Sequence, residues 1–495
     1  MGIETLSKLA LARIEKGWTQ AQVAEYTEVD VATVCRWEKG SHQPYPRYVK
    51  KLCDLFGKTA AELGLIPLEP EPAPSADAPV EIHSRESSVP PAIIDFFQHD
   101  IELRLRCLIY DWQRGKKQEG FCALLQYRIS QELKDFDAMT YEHSPEQHHE
   151  KEMNIARRDA LRRMALFPIR VLGLDAAMRG TVPVRAPEEV LTHCAAGITA
   201  CKHLAKGQLD DMTLAFQVLT TYLPPLKEIV DQSSRHRQEA AGLVGQALLL
   251  KAILSVHREG PKRAINYNRQ AVIYGRESGN VHLQLAILVF LAWIYACDKQ
   301  EKKALETALQ AQALLQKQEQ KGIPIHPITR SSIHSGIAKY QAQNGQNEGD
   351  IAAAISSAYD VFSTSMDESI PVYNDFNYST LIMRNGQAYY HLGQYDKALE
   401  AFAQAVDPET LVAKIPPSSE RVYIEIINNQ ALASLMRPTK EMDLSIRLWT
   451  AGIKGAIALH SEQRFGEALI GYNVMQALWP GDRRVKELRD LIVHW

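Results

Sequence analysis

Val31, Ala32, Thr33 and Arg36 stand on one short stretch that opens after Asp30 and closes at Gly40. A guanidinium, a hydroxyl and two small apolar groups on the first turns of a helix can read base edges. Arginine donates in bidentate fashion to guanine O6 and N7, and small apolar groups touch the thymine methyl. The preceding stretch, Thr19-Gln20-Ala21-Gln22-Val23-Ala24, predicts a second short helix, with Thr19 and Gln22 spaced as a capping box. Two short helices joined by a tight turn are the arrangement that lays the second one in the major groove. From Arg36 to Lys58 the cations Arg36, Lys39, Arg47, Lys50, Lys51 and Lys58 oppose only Glu38 and Asp54, a local patch suited to phosphates. The whole chain carries a net charge of −3, which excludes a molecule-wide basic field.

Other groups invite chemistry less clearly. His143, His148 and His149 with Glu142, Glu146 and Glu150 are metal-ligand types, but the polar run Tyr141 to Lys151 reads as a solvated loop. His193-Cys194 and Cys201-Lys202-His203 put two thiols on one helix face, where zinc or plain core packing would use them. Arg157-Arg158-Asp159-Ala160-Leu161-Arg162-Arg163 looks like a twin-arginine signal, yet it lies deep in the chain and reads as a basic helix face. No phosphate loop, G-x-S-x-G or H-E-x-x-H occurs. No enzyme, metal site or cofactor is therefore expected; an enzyme would need a cryptic His/Glu site within 141–203. Asn385, Gln387, Tyr390, Asn428 and Asn429 fall on first helices of predicted hairpins. Their amides and phenol can hydrogen-bond an extended peptide, or simply line a polar seam between helices.

The elements that must position these groups are helical. At 495 residues and 45% hydrophobic content, two or more domains are expected. Helical spacing organises 1–66 as a compact unit. Residues 67–91 are a Pro/Glu-rich linker containing Pro67-Leu68-Glu69-Pro70-Glu71-Pro72. Residues 92–180 are again helical, from Ile94, Phe97 and Ile101 onward, and 181–495 are helix after helix with almost no strand-like alternation. Seven cysteines without a C-x-x-C pair fit a reducing compartment. No secretory signal is visible at Met1-Gly2-Ile3-Glu4-Thr5, and the apolar run Leu283 to Ala296 is too short to span a bilayer.

The last region repeats itself. In Leu381 to Ala405, Gly386 allows close helix approach, Tyr389 fills the gap beneath, Gly393 turns the chain, and Ala398, Phe402 and Ala405 form the inward stripe. Phe465, Ala468, Tyr472 and Pro480 repeat the second half; Ala292, Tyr295, Ala304 and Ala311, and more weakly Ala252, Ala264 and Ala271, echo it. This resembles the tetratricopeptide repeat, whose hairpins stack into a solenoid because none can bury its apolar face alone.

Residues 5–57 resemble the helix-turn-helix domain of the Cro/repressor (xenobiotic-response-element-like) family. The matching positions are Arg13, Gly17, Thr19-Gln20, Val23-Ala24, Val29, Val34, Trp37-Glu38, Gly40, Pro44 and Leu52. Glu28 departs, standing where the family has its turn glycine. The resemblance implies that Gln20 clamps a phosphate, that Arg13 and Glu38 pair across the domain, and that Trp37 is core. Lys39, Arg47 and Lys50 would contact the DNA backbone. The order of parts is similar to that of bacterial peptide-sensing transcription regulators. It implies an all-α protein of a helix-turn-helix domain, a linker and a right-handed solenoid, working on double-stranded DNA in the cytoplasm, at the nucleoid, without a membrane. The array would hold a homodimer, so that two heads meet half-sites, and a short peptide or small ligand in its groove would alter their spacing. The alternative expectation is a scaffold whose array assembles protein partners and whose N-terminal domain only targets it.

Overall fold

Apolar residues at helical spacing dominate the chain, and the computed structural model is helical accordingly. It describes residues 8–65 (apart from 17, 28, 30, 39–43, 45 and 61), 121–172 (apart from 143–146), 174, 186–362 (apart from 234) and 376–493. The expected linker 67–91 and the helix expected from Ile94 lie outside these residues. The chain divides into two compact units, Met1–Glu86 and Ser87–Trp495.

In the first unit, α1 (Lys8–Glu15), α2 (Gln20–Thr27), α3 (Val31–Glu38) and α4 (Pro46–Phe56) close around Leu9, Ala12, Val23, Ala24, Val34, Trp37, Leu52 and Leu55. Gly57, at φ +65°, ends α4. A capping box that the sequence reading overlooked then returns Leu63 and Leu65 to the core. There the Thr59 N–H donates to Glu62 Oε2 at 2.7 Å and the Glu62 N–H to Thr59 Oγ1 at 3.3 Å.

The second unit begins with α5 (Phe121–Glu142), α6 (Gln147–Leu172), α7 (Pro187–Leu204) and α8 (Leu209–Gln232). These share one core with α9 (Arg237–Arg258), α10 (Pro261–Glu277) and α11 (Val281–Cys297). Then follow α12 (Glu301–Gln320), α13 (Pro327–Gln343), α14 (Glu348–Phe362), α15 (Tyr378–His391), α16 (Tyr395–Ala405), α17 (Glu420–Met436), α18 (Met442–Ala458), α19 (Glu462–Leu478), α20 (Arg483–Glu487) and α21 (Arg489–Val493). Among the described residues there is no strand, only an isolated bridge between Val406 and Ala413. Among the described residues one helix, α9, is long and apolar enough to cross a membrane, and most of it is buried in this unit's own core.

The helices pack in successive pairs, α9 with α10, α11 with α12, α13 with α14, α15 with α16 and α17 with α18. The pair α15–α16 shows why. A Cβ on Gly386 would come within 2.4 Å of the buried Phe402 ring, so only glycine permits this approach. Ala398, Phe402 and Ala405 are fully buried, and Gly393 at φ +74° turns the chain between the helices. The C-terminal copy is less regular: α19, which carries Phe465, Ala468 and Tyr472, packs on both α17 and α18.

The first members of the pairs also touch one another in order, α9 to α11, α13, α15, α17 and α19, and α19 comes back to α9. The solenoid thus closes into a ring of six inner helices. Two polar contacts fasten the seam. The His257 imidazole Nδ1 and the Ser461 hydroxyl lie 2.9 Å apart. Arg421 on α17 donates to the carbonyls of Ala205 (3.3 Å) and Gly207 (3.0 Å), just beyond the C-terminus of α7. The apolarity of Leu283 to Ala296, broken only by Gln284, follows from its place: α11 is an inner helix packed on several sides.

Two expectations are corrected. Glu142 ends α5 and His148, His149 and Glu150 lie in the first turn of α6 instead of in a loop, while His143 and Glu146 are outside the described residues. The basic face of α6 partly turns inward. Arg162 and Arg158 reach the fully buried Asp211 at 2.6 and 3.8 Å, because a buried carboxylate must be paired. Cys194 and Cys201 are core residues whose thiols burial pushes up, which suppresses thiolate formation.

Gly386→Ala is expected to destabilise the second unit by about 1–3 kcal/mol through overpacking against Phe402, read as a lower denaturation midpoint. Burial, with Arg421 and Arg464 adding to it, holds His257 well below the usual imidazole pKa. The unfolded chain takes up that proton at about 6.5, so this stability is complete above that pH and is lost as pH falls. His391, pushed down to about 4 by burial and Lys339, acts with the same sign. Melting temperature should therefore fall between about pH 7.5 and about pH 5, and less steeply in His257→Gln; parallel curves would remove His257 from this role.

Candidate nucleic-acid interface

The start of α2 is set by the capping box foreseen in the sequence. The Thr19 N–H donates to Gln22 Oε1 at 2.8 Å, and the Gln22 N–H returns to Thr19 Oγ1 at 3.3 Å. The end of α3 is set by Glu38. Its carboxylate accepts Arg13 Nε at 2.5 Å, Arg13 Nη2 at 3.0 Å and Gln20 Nε2 at 2.7 Å. Arg13 also donates to the Trp18 carbonyl at 2.9 Å. One carboxylate so ties α1, α2 and α3, and its hydrogen bond holds the Arg13 guanidinium more firmly protonated. The ion pair implied by the family resemblance forms, and it occupies Arg13. Gln20 was expected on a phosphate; its side-chain amide is engaged with Glu38. In the first turn of α2 the N–H groups of Gln22 and Val23 bond to Thr19, which leaves those of Gln20 and Ala21 without a helical acceptor.

Val34 and Trp37 face inward on α3, with Trp37 against the Tyr48 ring at 5.3 Å between centroids. Thr33 is half-buried at the edge of that face. Helical periodicity places positions 32 and 36 on the side of α3 away from Val34 and Trp37, with position 31 at its flank. The side chains of Val31, Ala32, Arg36, Arg47 and Lys50, and all of Lys39 and Glu28, lie outside the described residues. Position 47 falls in the first turn of α4, where no acidic residue stands. The helix dipole disfavours a cation there.

The residues read as a ligand groove sit elsewhere, inside the ring, and most are buried. Asn385, Gln387 and Asn428 are only 1%, 6% and 3% exposed. Gln387 Nε2 donates to Glu425 Oε1 at 3.0 Å, and Asn428 Nδ2 donates to the Arg464 carbonyl at 3.0 Å. Asn429 donates to the Glu425 carbonyl one turn back at 2.7 Å. Asn385 lies beside the Tyr359 phenol without a well-formed bond, and Tyr390 is half-buried against His391 and Tyr395.

The same interior gathers charges that the sequence reading did not single out: Lys339, Arg384, Glu425, Arg464 and Glu467. Arg464 pairs with both carboxylates, with Glu467 at 2.5 Å. Burial opposes the charge on Glu425, but Arg464 and Lys339 outweigh it and lower its pKa; burial raises that of Glu467. A signal was present. Glu425 interrupts the apolar run Ile424 to Ile427, and a lone charge in such a run must be satisfied inside.

Glu38→Ala would leave Arg13 and Gln20 without their acceptor and should destabilise the first unit by about 1–3 kcal/mol, read by its melting midpoint. No curated protein is significantly similar to the chain. The helix-turn-helix family model matches residues 9–63, from α1 to the returning Leu63, and the N-terminal unit is a helix-turn-helix domain of the DNA-binding kind.

Proposed function

We propose that this protein is a sequence-specific, DNA-binding transcription regulator in which α3 enters the major groove and the helical array governs that act. The observation that carries the reading is the helix-turn-helix match over 9–63, on a unit whose Glu38 hub holds α3 by its inner face and C-terminus. Arg36 reads guanine, Val31 and Ala32 meet thymine methyls, and Thr33 contacts an adjacent base or phosphate. Lys39, Arg47 and Lys50 neutralise phosphates, and the first turn of α2 at Gln20 offers backbone N–H groups to another. A single head of this size binds modestly, so the array holds a homodimer that presents two heads to half-sites. An effector acts by favouring one arrangement of that dimer. The amides of Asn385, Gln387, Asn428 and Asn429, with Tyr390, meet a peptide only when the ring opens, since closure buries most of them.

Arg36→Ala should abolish sequence-specific retardation of the protein's own promoter DNA while circular dichroism is unchanged. Lys50→Ala should weaken binding to all duplexes and lower the salt slope by about one. Footprinting that finds no site, together with a stoichiometric protein partner, would favour a scaffold instead.

A further inference from the structure

The joints of the ring are not alike. The inner helices α9, α11 and α13 share one apolar core, α13 and α15 a second, and α15, α17 and α19 a third. The chain also runs from each of these helices to the next through a single hairpin partner. The closing joint has neither bond. Among the described residues no apolar core holds both α9 and α19, or both α7 and α17. The contacts described across it are polar: the His257–Ser461 pair at 2.9 Å, and Arg421 on the Ala205 and Gly207 carbonyls and on the Met212 sulfur.

These contacts hold weakly. Arg421 is buried, and its Nε lacks a hydrogen-bond partner. Burial first, then Arg464, push its pKa down to about 10 against the smaller pull of Glu420. Water replaces hydrogen bonds of this kind on opening, so their net hold is small beside that of an apolar core. Parting any other joint uncovers apolar surface; parting this one returns a guanidinium and an imidazole to water. The interior charge network does not oppose it. Gln387, Glu425, Arg464 and Glu467 stand on α15, α17 and α19, all on one side of the joint, so their bonds survive its opening.

We propose that the ring is a latch that opens at this joint: α17 and α19 leave α7 and α9 together, while every hairpin stays folded. The rest of the stack is the hinge, through small shifts at each apolar joint. Opening lets water and a ligand reach the inner helices that closure covers. The proposal deepens the effector role given to the array by naming the way in, and rests on that reading only for its regulatory meaning.

The test is alkylation of thiols in the folded full chain, read site by site by mass spectrometry. Ser461→Cys puts a thiol at the closing joint, and Ala388→Cys puts one in the core between α13 and α15. The native Cys194 and Cys201 report the core shared by α5 to α11. The thiol at position 461 should react about tenfold faster than those at 388, 194 and 201, and about tenfold faster again with Arg421→Gln, whose own contacts lie on another helix. Should Arg421→Gln lose helical circular dichroism, His257→Gln is the second variant. Equal rates at all four sites would mean that the unit unfolds as a whole. A thiol at 461 as protected as Cys201, or one indifferent to the second substitution, would mean that the joint stays shut. Either result overturns the proposal. Neither DNA nor peptide enters this measurement, so its failure leaves the DNA-binding reading standing, and loss of that reading leaves the latch standing.

Discussion

The return of α19 onto α9 is the contact on which the second unit depends. An open stack of hairpins would leave its inner helices facing solvent, and polar residues there would need no partners. Closure removes that water. Every polar group inside must then find an acceptor, a donor or a counter-charge. This is why Arg464 holds two carboxylates, why Gln387 and Asn428 bond across helices, and why Arg421 reaches the carbonyls beyond α7. The seam itself is modest. A neutral imidazole against a hydroxyl and a guanidinium against two carbonyls are contacts that titration or a bound ion can rebalance.

The first unit solves a different problem. Its helices are short, and short helices are marginal alone. A small apolar core and one carboxylate supply what propensity does not. Glu38 at the end of α3 draws in α1 through Arg13 and α2 through Gln20. That choice has a functional consequence. The inner face and C-terminus of α3 are committed to the fold, and positions 32 and 36 are left on the opposite side. A module fixed in this way keeps α3 ordered before any partner is met, with little conformational entropy left to lose.

Both units use polar side chains to orient helices, but in different ways. Around Glu38 the donors and acceptor match. Within the ring the partners are shared: Arg464 holds Glu425 and Glu467, and Arg384 rests on Ser332 and Ser335.

How much of this was legible in the residues follows the range of the interactions. The short helices of the first unit, its first capping box, the inward Trp37 and the Gly386–Phe402 hairpin are read from patterns within a few dozen residues, whereas the Arg13–Glu38 pair was implied by the family resemblance alone. Local spacing determines them, because a helix places its neighbours at fixed intervals and a glycine permits one close approach. The second capping box at Thr59 was equally local and was overlooked. Ring closure was not legible: His257 meets Ser461, and Arg421 meets Gly207, across some two hundred residues, through small rotations accumulated over every hairpin. Asn385, Gln387 and Asn428 therefore read as groove residues from their helix faces and proved buried. Only the tertiary structure decided which faces meet water, since exposure is a property of everything packed around a residue and not of its neighbours in the chain.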